Sequence, residues 1–212
     1  MRVNAFAAGG LIPAARRGAI ETGFTAIQDW YATFAGLAGV SADDPVAAAA
    51  GLPPVDGLDL WALLSGANAT SPHTEMVLGA AADEAASATT VQGIIRVADG
   101  WKLLIGTVGN AFHQGPIYPN ASGYPSGTLQ CGDPAAPAAG SAAGPGCLFN
   151  VLDDPTEQHD VAADHPDIVK DLRARIAAHQ ATVYSPERGG DDGAACAAAA
   201  RYGGFWGPFI YV

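Results

Sequence analysis

The chain has 212 residues, among them 27 Gly and 15 Pro, with 49% apolar residues and a formal charge of −11. The length allows one large domain or two small ones around a buried core, and the apolar fraction excludes global disorder. The acidic balance excludes a nucleic-acid binder, which needs a basic stripe, and suits poorly a chain that gathers anionic substrates unaided. Much of the apolar share is alanine, as in Ala47–Ala50 and Ala197–Ala200, so long loops and short elements are expected rather than a helical bundle.

Val3, Ala5, Phe6 and Ala7 ahead of Gly9-Gly10 predict a short buried strand over residues 3–8. The same start loosely imitates a secretory signal, but Gly9, Gly10 and Pro13 break its apolar run. A helix is predicted from about Thr25 to Ala38, with Thr25 as N-cap, Gly39 as stop, and Ile27, Tyr31, Phe34 and Ala38 on its inner face. Residues 41–57 read as loop, Leu58–Ser65 as one short helix, and Thr74–Gly79 as a strand.

Asp99-Gly100 between two apolar arms is a strong hairpin signal, because both residues tolerate positive φ. A two-residue turn there would set Ala98 opposite Trp101 and Ile95 opposite Leu104. One face then carries Ile95, Val97 and Leu104, and the other Ile94, Trp101, Leu103 and Ile105. Both faces are apolar, so each needs a cover. Lys102 is expected to snorkel from the sheet edge.

Residues 107–146 form a long stretch without periodicity, of the kind that is functional or pinned by a bridge. Leu148–Leu152 reads as a further strand. From Pro166 to about Val183 runs an amphipathic helix with Ile168, Leu172, Ile176 and Val183 inward, and Asp164 or His165 at its cap. It covers one face of the hairpin sheet and leaves the other without a cover in the chain. No apolar run is long enough for a membrane span.

Cys131 and Cys147 bracket a Gly/Pro/Ala loop and read as a local disulfide in an oxidising compartment, leaving Cys196 an orphan. Two N-glycosylation sequons, at Asn68 and Asn120, point the same way. The secretory pathway is therefore the expected location.

Between Cys147 and Asp160, the side chains of Asp153, Asp154, Glu157, His159 and Asp160 could ligate a cation or form a strand-to-helix turn. The calcium-loop spacing is not met, no zinc-like His or Cys partner is in position, and Pro155 biases Asp154 toward a turn. The turn is the better reading. His165 reads as cap-adjacent, His179 as a surface residue and His113 as a loop residue. Motifs for serine nucleophiles, phosphate cradles and redox cysteines do not occur. The residues describe an α+β module with no visible reaction centre.

Several blocks, taken in order, resemble the C-terminal portion of type I sulfatases, of the arylsulfatase B (N-acetylgalactosamine-4-sulfatase) kind. They are Arg2-Val3 to Gly10, Ile27–Ala38 with Asp29-Trp30-Tyr31-Ala32-Thr33, Val55–Trp61, Ser71-Pro-His-Thr-Glu75, Ile94–Leu104, Leu148–Glu157 with Asp154-Pro-Thr-Glu157, and Phe205-Trp-Gly-Pro-Phe209. The resemblance implies that residues 1–66 end a large alkaline-phosphatase-like α/β domain. Residues 67–212 would be a small antiparallel sheet with a packed C-terminal helix.

That family hydrolyses sulfate esters with a formylglycine made in a Cys-x-Pro-x-Arg motif, beside a calcium ion. No cysteine here stands in that motif: Cys131 is followed by Gly132-Asp133-Pro134-Ala135. The resemblance therefore implies that no catalytic or metal-binding residue lies in this chain. Calcium and formylglycine would belong to an upstream catalytic half, the partner of this part, and an aryl or sugar sulfate would be the substrate of the whole. Cys196 resembles a cysteine paired with that half, the bare sheet face would pack on it, and His113 would line the pocket rim. The alternative is a non-catalytic glycan-binding or scaffold remnant, or a related phosphodiesterase.

Overall fold

A computed structural model of the chain describes residues 4–80, 91–109, 128–132, 145–183 and 193–205. His113 and Asn120 lie outside the described residues.

In chain order the helices are α1 (Asp29–Leu37), α2 (Pro45–Ala49), α3 (Trp61–Ser65), α4 (Pro166–Gln180) and α5 (Ala194–Arg201). The strands β1 (Glu75–Gly79), β2 (Gln92–Arg96), β3 (Trp101–Gly109), β4 (Thr128–Cys131) and β5 (Cys147–Asn150) form one antiparallel five-stranded sheet. The fold is α+β, a small antiparallel sheet with a helix packed on it.

The sheet is built around β3. Its first half is flanked by β2 and β5, with Lys102 opposite both Ile95 and Phe149. Further along, Leu104 faces Cys147 and Gly106 faces Cys131, so β5 and β4 follow one another along the strand. That succession brings the two cysteines to a Cα separation of 4.8 Å, and they are joined as a disulfide.

Alternation along β3 sorts its side chains. Leu103 and Ile105, with Ile94 and Leu148, meet Val169, Leu172 and Ile176 of α4 in the main core. The opposite face gathers Leu104, Phe149 and the disulfide, with Val91, Val108 and Leu129 against them. The face expected to be bare is thus closed around Leu104 and Phe149, both of them buried.

Other expectations are corrected. The register shifts by two residues: Arg96 faces Trp101 and Ile95 faces Lys102, with Val97–Gly100 as a four-residue loop. The turn closes by a bond from the Gly100 N–H to the Arg96 carbonyl, with Gly100 at φ 73°. A shift of two keeps every side chain on its face, so Ile94, Leu103 and Ile105 still point to the helix. Residues 107–146 are not all loop, since β3 runs to Gly109 and β4 begins at Thr128. Lys102 does not snorkel from an edge; it sits mid-sheet with its side chain 8% exposed, bonded to Glu157.

Residues 4–8 form no strand and are exposed, Phe6 to 91%. The helix expected from Thr25 begins at Asp29, and it turns a different face inward. Asp29, Ala32 and Thr33 are buried, whereas Ile27, Tyr31 and Phe34 are exposed. The late helix ends at Gln180, so Val183 lies beyond it, partly exposed. The α2 helix, in sequence read as loop, is capped by Asp44, whose carboxylate accepts from the Val46 and Ala47 N–H groups.

Candidate functional site

Three separated stretches converge at the start of α1. The buried Asp29 carboxylate accepts hydrogen bonds from the Ala26 N–H at 2.6 Å and the Leu58 N–H at 3.0 Å, and lies 2.7 Å from His73 Nε2. One helical turn on, Thr33 Oγ1 donates to the Asp29 carbonyl and accepts from the Leu60 N–H. Ser71 Oγ donates to the Phe24 carbonyl at 2.6 Å and accepts from the His73 N–H. Gly57 lies so close to α1 that a Cβ there would sit 2.3 Å from the Gln28 carbonyl oxygen. These polar side chains are satisfied by backbone groups, which removes the penalty of burying them.

Beside this junction opens a cleft of about 700 Å³, between residues 52–56, β1 and the end of α4. Asp56, His73, Glu75 and His179 supply its ionisable wall. His179, expected on the surface, is half-buried with Nε2 2.7 Å from Glu75 Oε1, and Arg175 donates to the other oxygen at 2.9 Å. The chain of charges continues from Arg175 to Asp171, from Asp171 to Arg96, and from Arg96 to Asp99. Burial works against ionising Glu75, but the hydrogen bonds from His179 and Arg175 outweigh it and hold its carboxyl below the usual range. The Arg96 guanidinium likewise holds Asp99 low.

The ion pairs fasten β1 and β2 to α4, and His73, just before β1, joins that segment to the first helix. A buried His–Asp pair can orient a general base, but that role needs a nucleophile in reach. Ser71, two residues before His73, has its Oγ committed to the backbone. Among the described residues no three His, Cys, Asp or Glu side chains gather where they could hold a metal ion.

The acidic segment 153–160 is a turn. Asp154 accepts from the Gln158 and His159 N–H groups and from Thr156 Oγ1. Burial opposes its ionisation, yet these donors, led by the His159 N–H, keep its pKa low. Asp160 accepts from the Leu148 and Ala162 N–H groups, which ties the end of the turn to β5. Glu157, at φ 54°, reaches back to Lys102 Nζ at 2.6 Å. Its carboxylate meets this lysine rather than nearby backbone.

Sequence reasoning singled out the cysteines, the sequons and His113. Cys131 and Cys147 meet in the disulfide, Cys196 is free and exposed on α5, and Asn68 stands on an exposed loop after α3. Cys131, Cys147, Cys196 and Asn68 do not line the cleft. Sequence reasoning missed the linkage of Asp29, His73, Glu75 and His179, although the apolar neighbourhood of Asp29 was a signal that its carboxylate would be buried and bonded.

The class these features define is a small α+β domain whose motif residues hold elements together. No protein-family model matches the chain. Among solved structures it is similar to BT33336S-sulf, a protein described with the metabolism of multiple glycosaminoglycans by Bacteroides thetaiotaomicron through a versatile core genetic locus. That similarity has 17% identity and a TM-score of 0.38 over 72% of this chain, and the chain spans 24% of that protein's length.

Proposed function

We propose that the chain is the C-terminal part of a type I sulfatase, of the arylsulfatase B kind. On this reading it contributes a structural subdomain and no reacting group. The observation that carries the reading is the meeting of blocks far apart in sequence. Asp29 of the Asp-Trp-x-x-Thr block binds the Leu58 N–H of the Val55–Trp61 block and His73 of the Ser-Pro-His-x-Glu block. Thr33 of the first block also binds the Leu60 N–H of the second. Residue types that resemble the family at those places have a shared physical task here.

Exposed apolar side chains add support. Phe6, Ile20, Ile27 and Phe34 are all more than half exposed in the first part of the chain, as expected where a larger α/β domain should cover them. The calcium ion, the formylglycine and the cationic grip on sulfate then lie in that upstream part, because a sulfate ester resists attack until its charge is neutralised. The substrate of the whole enzyme is an aryl or sugar sulfate, and its compartment is extracellular or lysosomal.

The test has two arms. The upstream reading frame should encode Cys-x-Pro-x-Arg, and the purified 212-residue chain should not hydrolyse an aryl sulfate. Hydrolysis by the chain alone would overturn the reading. So would an upstream frame closed by a stop codon with no further exon, leaving the non-catalytic remnant as the better account.

A further inference from the structure

We propose that Asn68 is an N-glycosylation acceptor. The proposal rests on the secretory placement in the reading above. The sequon Asn68-Ala69-Thr70 lies on the loop between α3 and β1, where residues 66–70 are all exposed. The loop is set by the end of α3. Gly66 takes φ 83°, and the Asn68 N–H bonds back to the Ala62 carbonyl at 2.9 Å. The backbone is thereby anchored while the side chain stays at the surface.

The carboxamide is used in a way that leaves its nitrogen open. Asn68 Oδ1 accepts from the Thr70 N–H and from Thr70 Oγ1, each at 3.2 Å. Among the described residues Nδ2 makes no hydrogen bond, so a substituent on it disturbs none of these contacts. The hydroxyl that the sequon requires therefore rests on the amide it serves.

The co-reactant is a lipid-pyrophosphate-linked oligosaccharide, delivered by a membrane oligosaccharyltransferase. Nδ2 attacks the anomeric carbon of the first sugar and loses one proton to a base of the transferase. The bond from that carbon to the pyrophosphate oxygen breaks, and the lipid pyrophosphate leaves with the electron pair. No oxidation or reduction is involved.

The test expresses the full chain behind a secretion leader in a eukaryotic host and scores only molecules whose leader has been cleaved. Glycan-releasing amidase in heavy-oxygen water, followed by peptide mass spectrometry, reads each site. The expected result is a tagged Asn68 in the wild-type chain and in N120Q, with loss of the tag in N68Q and in T70A. Lumen-delivered chains with the Cys131–Cys147 bond formed and Asn68 unmodified would overturn the proposal. That outcome would leave the sulfatase reading standing, since the latter depends on the upstream motif.

Discussion

Residues 4–66 and residues 91–176 are held by different means. In the second region aliphatic side chains from β2, β3, β5 and α4 close a core on one face of the sheet, and a disulfide with Phe149 closes the other. In the first region the buried apolar residues are Ala32, Leu60 and Leu63, and the chain is organised by Asp29 and Thr33 collecting backbone N–H groups. Hydrogen bonds of this kind fix a shape but contribute only about 1 kcal/mol each in net stability. A region built that way depends on apolar burial supplied from elsewhere, whereas the sheet region supplies its own.

The largest expected effect lies in the closed core. Leu172→Ala should destabilise the protein by about 4 kcal/mol, the upper part of the range for a well-packed leucine, read as a shift in the urea midpoint. Next comes the ion pair inside the sheet. Glu157→Gln leaves Lys102 charged and 8% exposed without its partner, and should cost about 3 kcal/mol. The double variant Lys102→Met, Glu157→Leu should recover most of that loss. If the single variant costs less than about 1 kcal/mol, the pair behaves as a surface bridge and the sheet's second face is not closed as described.

The hairpin and the late helix were legible in the sequence because their signals are local. Asp99-Gly100 marks the turn, and Leu172 and Ile176 fall at helical spacing. The exact register was not legible, since Arg96 holds the Asp99 carboxylate and enlarges the loop to four residues. The inner face of α1 was misread for a different reason. Hydrophobic periodicity ranked Ile27, Tyr31 and Phe34 above Asp29 and Thr33, but burial there follows hydrogen-bond partners 25 or more residues away, such as Leu58 and Leu60. The candidate site suffers from the same non-locality. His73 meets Asp29 across 44 positions and His179 meets Glu75 across 104, and no spacing rule links such pairs.

In the polar-stitched region the sharpest probe is Gly57→Ala. The added carbon would meet the Gln28 carbonyl oxygen, a backbone atom that cannot swing aside. A loss of about 2 kcal/mol is expected, accompanied by a chemical-shift change at His73 as the Asp29 junction moves. An unchanged His73 signal would mean that the two blocks are not mechanically joined.

The join between β1 and α4 should respond to acid. Glu75 has its pKa lowered in the fold from the ordinary 4.5, so the folded state binds its proton less readily than the unfolded chain. Its contribution is present above that value and disappears as pH falls through the lowered pKa. Glu75→Gln should therefore lower stability at neutral pH and flatten part of the acid limb, so that variant and wild type converge as the pH falls. A wild-type and variant pair with parallel acid limbs would remove Glu75 from the account.

The smallest expected effect tests the comparison most directly. Ile27, just before α1, is 83% exposed, and Tyr31 and Phe34 on the helix that follows are exposed as well. Replacing it by serine removes a side chain of the same size class as Leu172, yet should change unfolding stability by less than about 0.5 kcal/mol. What should change is association. The variant should stay monomeric to higher concentration in sedimentation, because the exposed apolar patch has shrunk. In the complete enzyme of the proposed reading, the same substitution should become as costly as a core truncation, since Ile27 would then be covered. A loss in the isolated chain comparable to that of Leu172→Ala would show instead that the first region already buries this face.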